Sequence, residues 1–182
     1  MSMLWSSPGS KSSLYVMAYG VNLIPQDNNN ACWWASMLMM YEWRKAVGGK
    51  PIDPHTIPGL NALHRASNGL PWAQMRMYAQ KVGMKPKPLA TPTIDLLANW
   101  LRSGPLWTDG IPVDWAGNVA GTGHVVVLAG LRSVPNSNEY EIYVYDPWPV
   151  SRGHEGWRPI NHLTTIMLAG ANPKRDVTFL SY

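Results

Sequence analysis

The sequence has 182 residues, of which 46% are hydrophobic and 14% are charged, so it is long and apolar enough for one folded domain with a substantial core. Its net charge is +4, and the fifteen Lys and Arg residues are scattered, which argues against nucleic acid as a partner. No apolar run reaches the roughly 18 residues that span a bilayer, so no membrane partner is expected. Residues 1–13 lack the apolar stretch of a signal peptide, so the protein is expected to stay in the cytosol or to leave by a route without a cleaved leader.

The N-terminal part of the chain predicts a flexible segment, a short strand and a long buried helix. Residues 1–13 are rich in Ser, Gly and Pro, and residues 15–19 read as a short strand. The polar region that follows ends at Asn30, the expected N-cap of a helix over 31–47. That helix is apolar on all sides through Tyr41, which predicts that it is buried among neighbouring elements.

The rest of the chain changes from helical to β-rich character near residue 104. Helices are predicted near 60–66, 71–82 and 94–102, and short strands at 106–108, 124–131, 140–145, 165–168 and 177–180. The fold class is therefore α+β. We expect a single domain over 14–182, with a helical lobe at about 14–104 and a β lobe at about 105–182.

Cys32 is the sole cysteine, and it stands at the start of the predicted buried helix. A single thiol excludes an intramolecular disulfide and a CxxC metal cluster, and no cofactor or metal is expected. The helix dipole and the free N–H groups at a helix N-terminus favour a thiolate, which is the nucleophilic form. Other chemistries lack their motifs, because the chain contains no HExxH, no GxSxG and no phosphate-binding glycine loop.

A cysteine nucleophile needs a general base, and His124 has the most favourable setting among five histidines. It follows Gly123 and opens an apolar run, so a strand would hold its imidazole rigidly at the sheet edge. A structural histidine at a strand start is the alternative interpretation. The other four lie near loops or in Gly- and Pro-containing connections and are weaker candidates: His55, His64, His154 and His162.

Asp146 and Gln26 are candidates to complete such a site. Asp146 ends a predicted strand before Pro147, where a turn can aim its carboxylate at an imidazole, although Asp-Pro is also common turn punctuation. Gln26 lies in a polar loop six residues before Cys32, so its amide and the Cys32 backbone N–H could face one cleft. Gln26 can equally be an ordinary loop glutamine.

The order of these motifs resembles the papain-like cysteine protease superfamily, and within it the bacterial C39-like and AvrRpt2-like (C70) group. The resemblance covers about residues 20–180 and is carried by Gln26, Cys32-Trp33-Trp34-Ala35-Ser36, Gly123-His124 and Tyr145-Asp146-Pro147. It implies a papain-like fold, in which a helical lobe with the cysteine on its central helix precedes an antiparallel β lobe across a cleft. One departure is Trp34, where many papain-like enzymes carry a small residue, and this leaves the shape of the substrate subsites open.

The resemblance also implies roles and a biological setting. Cys32 would be the nucleophile, His124 the base, Asp146 the residue that orients His124, and Gln26 the oxyanion donor. The group includes effector and toxin domains of bacterial secretion systems, so the expected function is a protein-cleaving cysteine endopeptidase used against competing bacteria or a host. Such a protein would be exported by a specialised secretion system, act in the target-cell cytoplasm and be neutralised by a cognate immunity protein. The alternatives are a peptidoglycan amidase, an acyltransferase or transglutaminase, and an inert papain-like binding module.

Overall fold

An antiparallel sheet with helices packed on both faces forms the fold. The computed structural model describes residues 13–87, 92–110, 123–162 and 179–182. The strands in these ranges are β1 (Tyr15–Met17), β2 (Lys85–Pro86), β3 (Leu106–Gly110), β4 (His124–Ser133), β5 (Tyr140–Asp146), β6 (His154–Pro159) and β7 (Phe179–Ser181). The helices are α1 (Cys32–Ala46), α2 (Pro58–Arg65), α3 (Trp72–Lys81) and α4 (Ile94–Ser103), with a 3-10 turn at Pro54–Thr56.

The sheet is ordered β2-β7-β3-β4-β5-β6, and β1 pairs with β4 beyond the end of β3. Two strands from the N-terminal half, β1 and β2, therefore join the sheet formed by the C-terminal half. Neighbouring strands β4 and β5 place His124 and Asp146 near the same end of the sheet, because Val127 pairs with Tyr145. The register of the central strands thus brings these two polar side chains together.

Alternation along β4 divides the core into two layers. Val125, Val127 and Ala129 belong to the cluster that contains α1, whereas Val126 and Leu128 pack in the cluster that contains α4. Because helices cover both faces, β4 is apolar almost continuously instead of alternating with polar residues. Helix α1 is buried along most of its length, as its all-round apolar sequence predicts.

The expected helix cap at Asn30 is wrong. The N-cap position is Ala31, and no side chain caps the helix. The Asn28 side-chain oxygen accepts from the Asn30 backbone N–H at 2.9 Å, while the Asn30 amide reaches the Ser67 carbonyl at 3.0 Å. The Asn30 side chain is therefore committed to a tertiary contact instead of the first turn of α1.

Several element predictions differ from the structure at edge strands. His154 begins β6 and pairs with Asp146, so its assignment to a connection is wrong. Strand β6 was not predicted because Gly156 and the terminal Pro159 interrupt its pattern, and such residues are tolerated at a sheet edge. The predicted strand at 165–168 lies outside the described residues, as do residues 1–12 of the predicted flexible segment. None of the helices in the described ranges is long and apolar enough to cross a bilayer.

Candidate active site

Cys32 begins α1 and lies against the sheet at the end where β4 starts. Cys32 is 9% exposed, and it is a free cysteine. Four residues further along α1, the Ser36 hydroxyl donates to the Val125 carbonyl at 3.0 Å, in a fully buried contact. Because Val125 follows His124 on β4, this bond fixes the position of α1 along the strand relative to His124.

His124 and Asp146 form a short, nearly buried hydrogen bond. The His124 Nε2 and the Asp146 Oδ1 are 2.6 Å apart, and the two side chains are 12% and 9% exposed. The same carboxylate oxygen accepts from the Trp148 backbone N–H at 2.8 Å, so the turn after β5 orients the carboxylate. With Nε2 on Asp146, Nδ1 is the ring nitrogen left for Cys32, whose side chain lies close enough to raise the pKa of His124.

The surroundings of His124 favour the imidazolium. Burial is the largest single influence and lowers its pKa, because a charged ring is poorly solvated there. The hydrogen bond to Asp146 and the interaction with the Cys32 side chain, together with the charges of both partners, outweigh burial and raise the pKa of His124 to about 10. The structure therefore places a positively charged histidine between a thiol and a carboxylate at neutral pH.

Gln26 is buried in the loop that precedes α1, with 1% of its residue exposed. Its amide nitrogen donates to the Asn28 carbonyl at 2.7 Å, and this acceptor determines which amide atom points toward Asn28. One hydrogen of that nitrogen is left for another acceptor. The amide oxygen is buried without a partner among the described residues, which is uncommon for a side chain that serves only packing.

The Gln26 loop is bound to the turn that orients Asp146. The Gln26 backbone N–H donates to the Pro147 carbonyl at 3.0 Å, and the Gln26 carbonyl accepts from the Ser151 N–H at 2.8 Å. Gln26 is thus attached to the histidine–aspartate side of the site as well as to the helix that carries Cys32. The predicted residues Cys32, His124 and Asp146 come together directly, and Gln26 is connected to them through the backbone.

The four remaining histidines take other positions. His55 pairs with Asp53 at 2.9 Å, and His64 pairs with Asp27 at the same distance. His162 lies close enough to the site for the charges of His124 and Asp146 to affect its pKa. Burial chiefly lowers the pKa of His162 to about 4; Arg158 and His124 act in the same direction and Asp146 opposes them.

Sequence reasoning missed the residues that hold the site in place. These are the backbone N–H of Trp148, which orients Asp146, and the Asn28 carbonyl, which accepts from the Gln26 amide. Their contributions come from loop geometry, which no motif encodes. The run of three asparagines after Asp27 was a usable signal, because such residues form side-chain-to-backbone turns.

A buried cysteine at a helix start, beside a histidine that is itself held by an aspartate on an antiparallel sheet, is typical of the papain-like class of cysteine proteases. Comparison with protein families agrees. Residues 14–162 match the family described as papain-like cysteine protease AvrRpt2, peptidase family C70, and the chain belongs to that family. The comparison with individually curated proteins found no match.

Proposed function

We propose that the protein is a cysteine endopeptidase that cleaves protein substrates through Cys32, His124 and Asp146. The observation that supports this most is the position of His124, which is hydrogen-bonded to the Asp146 carboxylate and interacts with the Cys32 side chain. A nucleophile, a base and an orienting group in contact are the arrangement that covalent catalysis requires. Membership in the papain-like family supports the same reaction class.

In the proposed reaction, the proton of the thiol resides on His124, so that Cys32 attacks as the thiolate. A carbon–sulfur bond forms at the scissile carbonyl, and the carbonyl electron pair moves to the oxygen. His124 then gives its proton to the leaving amine, the carbon–nitrogen bond breaks and a thioester remains. Water next loses a proton to His124 and attacks the thioester, which releases the acid and restores the thiolate. Because Nε2 of His124 stays hydrogen-bonded to Asp146, Nδ1 is the nitrogen that gives the proton to the leaving amine and later takes one from water.

Gln26 and the Cys32 backbone N–H are the proposed oxyanion donors. The amide hydrogen that Gln26 does not give to Asn28 and the unsatisfied N–H groups at the start of α1 would supply partial positive charge to the oxyanion. Removal of one such donor typically lowers turnover by about 10²–10³-fold. Gln26→Ala should therefore lower kcat by about that factor.

The biological setting is a further part of the proposal. The resemblance to a group that includes secretion-system effectors supports a toxin or effector exported by a specialised system and active in the target-cell cytoplasm. A cognate immunity protein would protect the producing cell by covering the site. Cytosolic expression in bacteria should arrest growth with the wild type but not with Cys32→Ala, and a neighbouring open reading frame should restore growth. Harmless expression of the wild type would contradict the toxin role.

The peptidase activity itself is tested by incubating bacterial lysate with wild-type or Cys32→Ala protein and sequencing new N-termini by mass spectrometry. We expect new N-termini that appear only with the wild type and that result from cleavage at internal peptide bonds of lysate proteins. Their absence would contradict the endopeptidase. Release of peptides from purified sacculus would instead support a wall amidase, and amine incorporation without net hydrolysis would support an acyltransferase.

A further inference from the structure

We propose that His64 is a positioning residue for catalysis, which couples the helix that carries Cys32 to the loop that carries the oxyanion donor. The inference rests on the proposed function of Gln26. His64 lies on α2, outside the Cys32–His124–Asp146 line, and none of its ring contacts is with those three residues. Its role follows from two contacts that it makes at once.

The first contact is with α1. The His64 ring stacks on Trp34, with centroids 4.7 Å apart and planes 15° from parallel. Trp34 is buried and lies two residues after Cys32, so its indole moves with the first turn of the helix. Stacking on Trp34 therefore holds the His64 imidazole in a fixed position relative to the first turn of α1, which carries Cys32.

The second contact is with the loop before α1. The His64 Nε2 lies 2.9 and 3.1 Å from the two carboxylate oxygens of Asp27, and the His64 side chain is 19% exposed. Asp27 in turn accepts from the Asn28 side-chain amide at 3.0 Å, and the Asn28 carbonyl holds the Gln26 amide nitrogen. Two sets of hydrogen bonds, joined through the covalent frame of Asn28, thus connect His64 to the proposed oxyanion donor.

The end of α2 carries additional ties to the same region. The Asn30 amide donates to the Ser67 carbonyl, and the Trp33 indole N–H donates to the Asn68 carbonyl at 3.2 Å. These bonds keep the loop near α2 when His64 is changed, so loss of the His64 contact should loosen the loop without unfolding the protein. Loss of precise position at an oxyanion donor lowers turnover more than it lowers substrate affinity.

His55 provides a matched control. It contacts Trp34 edge-on at 4.9 Å and forms its own pair with Asp53, and that pair lies at the 3-10 turn instead of in the loop before α1. His64→Phe keeps a flat ring on Trp34 and removes the bond to Asp27. His64→Gln restores an N–H donor at a similar reach. The comparison of these variants with His55→Phe separates the hydrogen bond from the aromatic packing.

The experiment measures kcat and KM on a peptide that contains a cleavage site of the wild type, the rate of Cys32 alkylation by iodoacetamide, and amide hydrogen exchange at Asn30 and Ala31. For His64→Phe we expect about a tenfold fall in kcat, KM within about twofold, unchanged alkylation, and several-fold faster exchange at both amides. His64→Gln should recover part of kcat, and His55→Phe should match the wild type.

Unchanged exchange and kcat in His64→Phe, or an equal loss in His55→Phe, would overturn the proposal. Slower alkylation in parallel with kcat would also overturn it, because His64 would then act on the thiol instead of on the oxyanion loop. Hydrogen exchange needs no substrate, so this test remains decisive if the wild type has no peptidase activity. Failure of the proposed function would appear separately, as absence of Cys32-dependent turnover.

Discussion

Two histidine–aspartate pairs lie on different elements around Cys32, and they differ mainly in their access to solvent. In the His124–Asp146 pair both side chains are nearly buried and the contact is 2.6 Å. In the His64–Asp27 pair the contact is 2.9 Å and the Asp27 side chain is 63% exposed. Water screens the His64–Asp27 pair, so we assign it a role in holding a loop in place. Burial strengthens the electrostatic interaction of the His124–Asp146 pair, so that this pair can stabilise a charged imidazole. The same two residue types thus serve chemistry in one place and positioning in the other.

The difference also depends on what holds each carboxylate. Asp146 follows a central strand and receives a second hydrogen bond from the Trp148 N–H, so the sheet and its turn fix its position. Asp27 lies in a loop, and apart from His64 it is joined to the neighbouring Asn28 side chain. In the first pair the sheet-bound carboxylate sets the orientation of the imidazole, whereas in the second pair the imidazole, which is stacked on Trp34, sets the position of the loop carboxylate.

Replacement of His124 should have the largest effect. His124→Ala removes the general acid and base and the cation that stabilises the thiolate, so we expect kcat/KM to fall by at least about 10³-fold. His55→Ala is the matched control and should retain wild-type activity. Cleavage assays on one peptide compare them. Residual activity within tenfold of the wild type in His124→Ala would contradict the assigned role.

Asp146→Asn should have the next largest effect. It keeps the side-chain shape but removes the carboxylate whose hydrogen bond and charge raise the pKa of His124, and it allows the ring to turn. We expect about a 10²-fold fall in kcat, smaller than for His124→Ala because the imidazole remains present. Asp53→Asn removes the partner of His55 and should leave kcat unchanged. Equal activities of the two variants would contradict the role assigned to Asp146.

Gly153→Ala should disturb the frame that holds Asp146. Gly153 has a φ of 63°, and a Cβ there would lie 2.9 Å from the Asp146 carbonyl oxygen. The conformation and the close contact together should cost at least about 2 kcal/mol in the free energy of unfolding and should lower kcat. Gly48 has a similar φ of 80° but nothing within 4 Å of the added Cβ. Gly48→Ala should therefore destabilise by about 1–2 kcal/mol with kcat unchanged. Urea unfolding and kinetics measure both, and a normal kcat in Gly153→Ala would argue against the frame.

Ser36→Ala should have the smallest effect. It removes the buried hydrogen bond to the Val125 carbonyl that sets α1 against β4. Loss of one such bond should lower the free energy of unfolding by about 1 kcal/mol. Ser103 is a control on another helix, because its hydroxyl bonds only within α4 and is exposed. Indistinguishable unfolding curves for Ser36→Ala and Ser103→Ala would contradict the proposed tie.

Much of the fold could be predicted from the sequence because elements buried in the core have a recognisable apolar pattern. Helix α1 has no polar face, and β4 is a continuous apolar run, so both were predicted as buried elements. Strand β6 left no such trace, since glycine and proline are tolerated at an edge where half of the backbone bonds are absent. The joining of β1 and β2 to the sheet is likewise a long-range pairing that local pattern does not reveal.

The candidate site shows the same division. Cys32, His124 and Asp146 were predicted because each stands at the end of a regular element, where register determines position. The surroundings of Gln26 were not predicted, because they depend on loop bonds to Asn28, Pro147 and Ser151. Asn30 was misassigned as a cap for the same reason. Loop conformations depend on tertiary partners that a linear pattern does not specify.

The charge state of His124 tests the central claim most directly, and nuclear magnetic resonance of its ring nitrogens against pH measures it. A raised pKa means that the ring keeps its proton to higher pH; at about 10, His124 is almost fully protonated at pH 8, where an ordinary histidine is about 3% protonated. The account predicts this in the wild type, with the pKa falling in Asp146→Asn and in Cys32→Ser. A wild-type pKa near 6.5 that neither substitution shifts would contradict it.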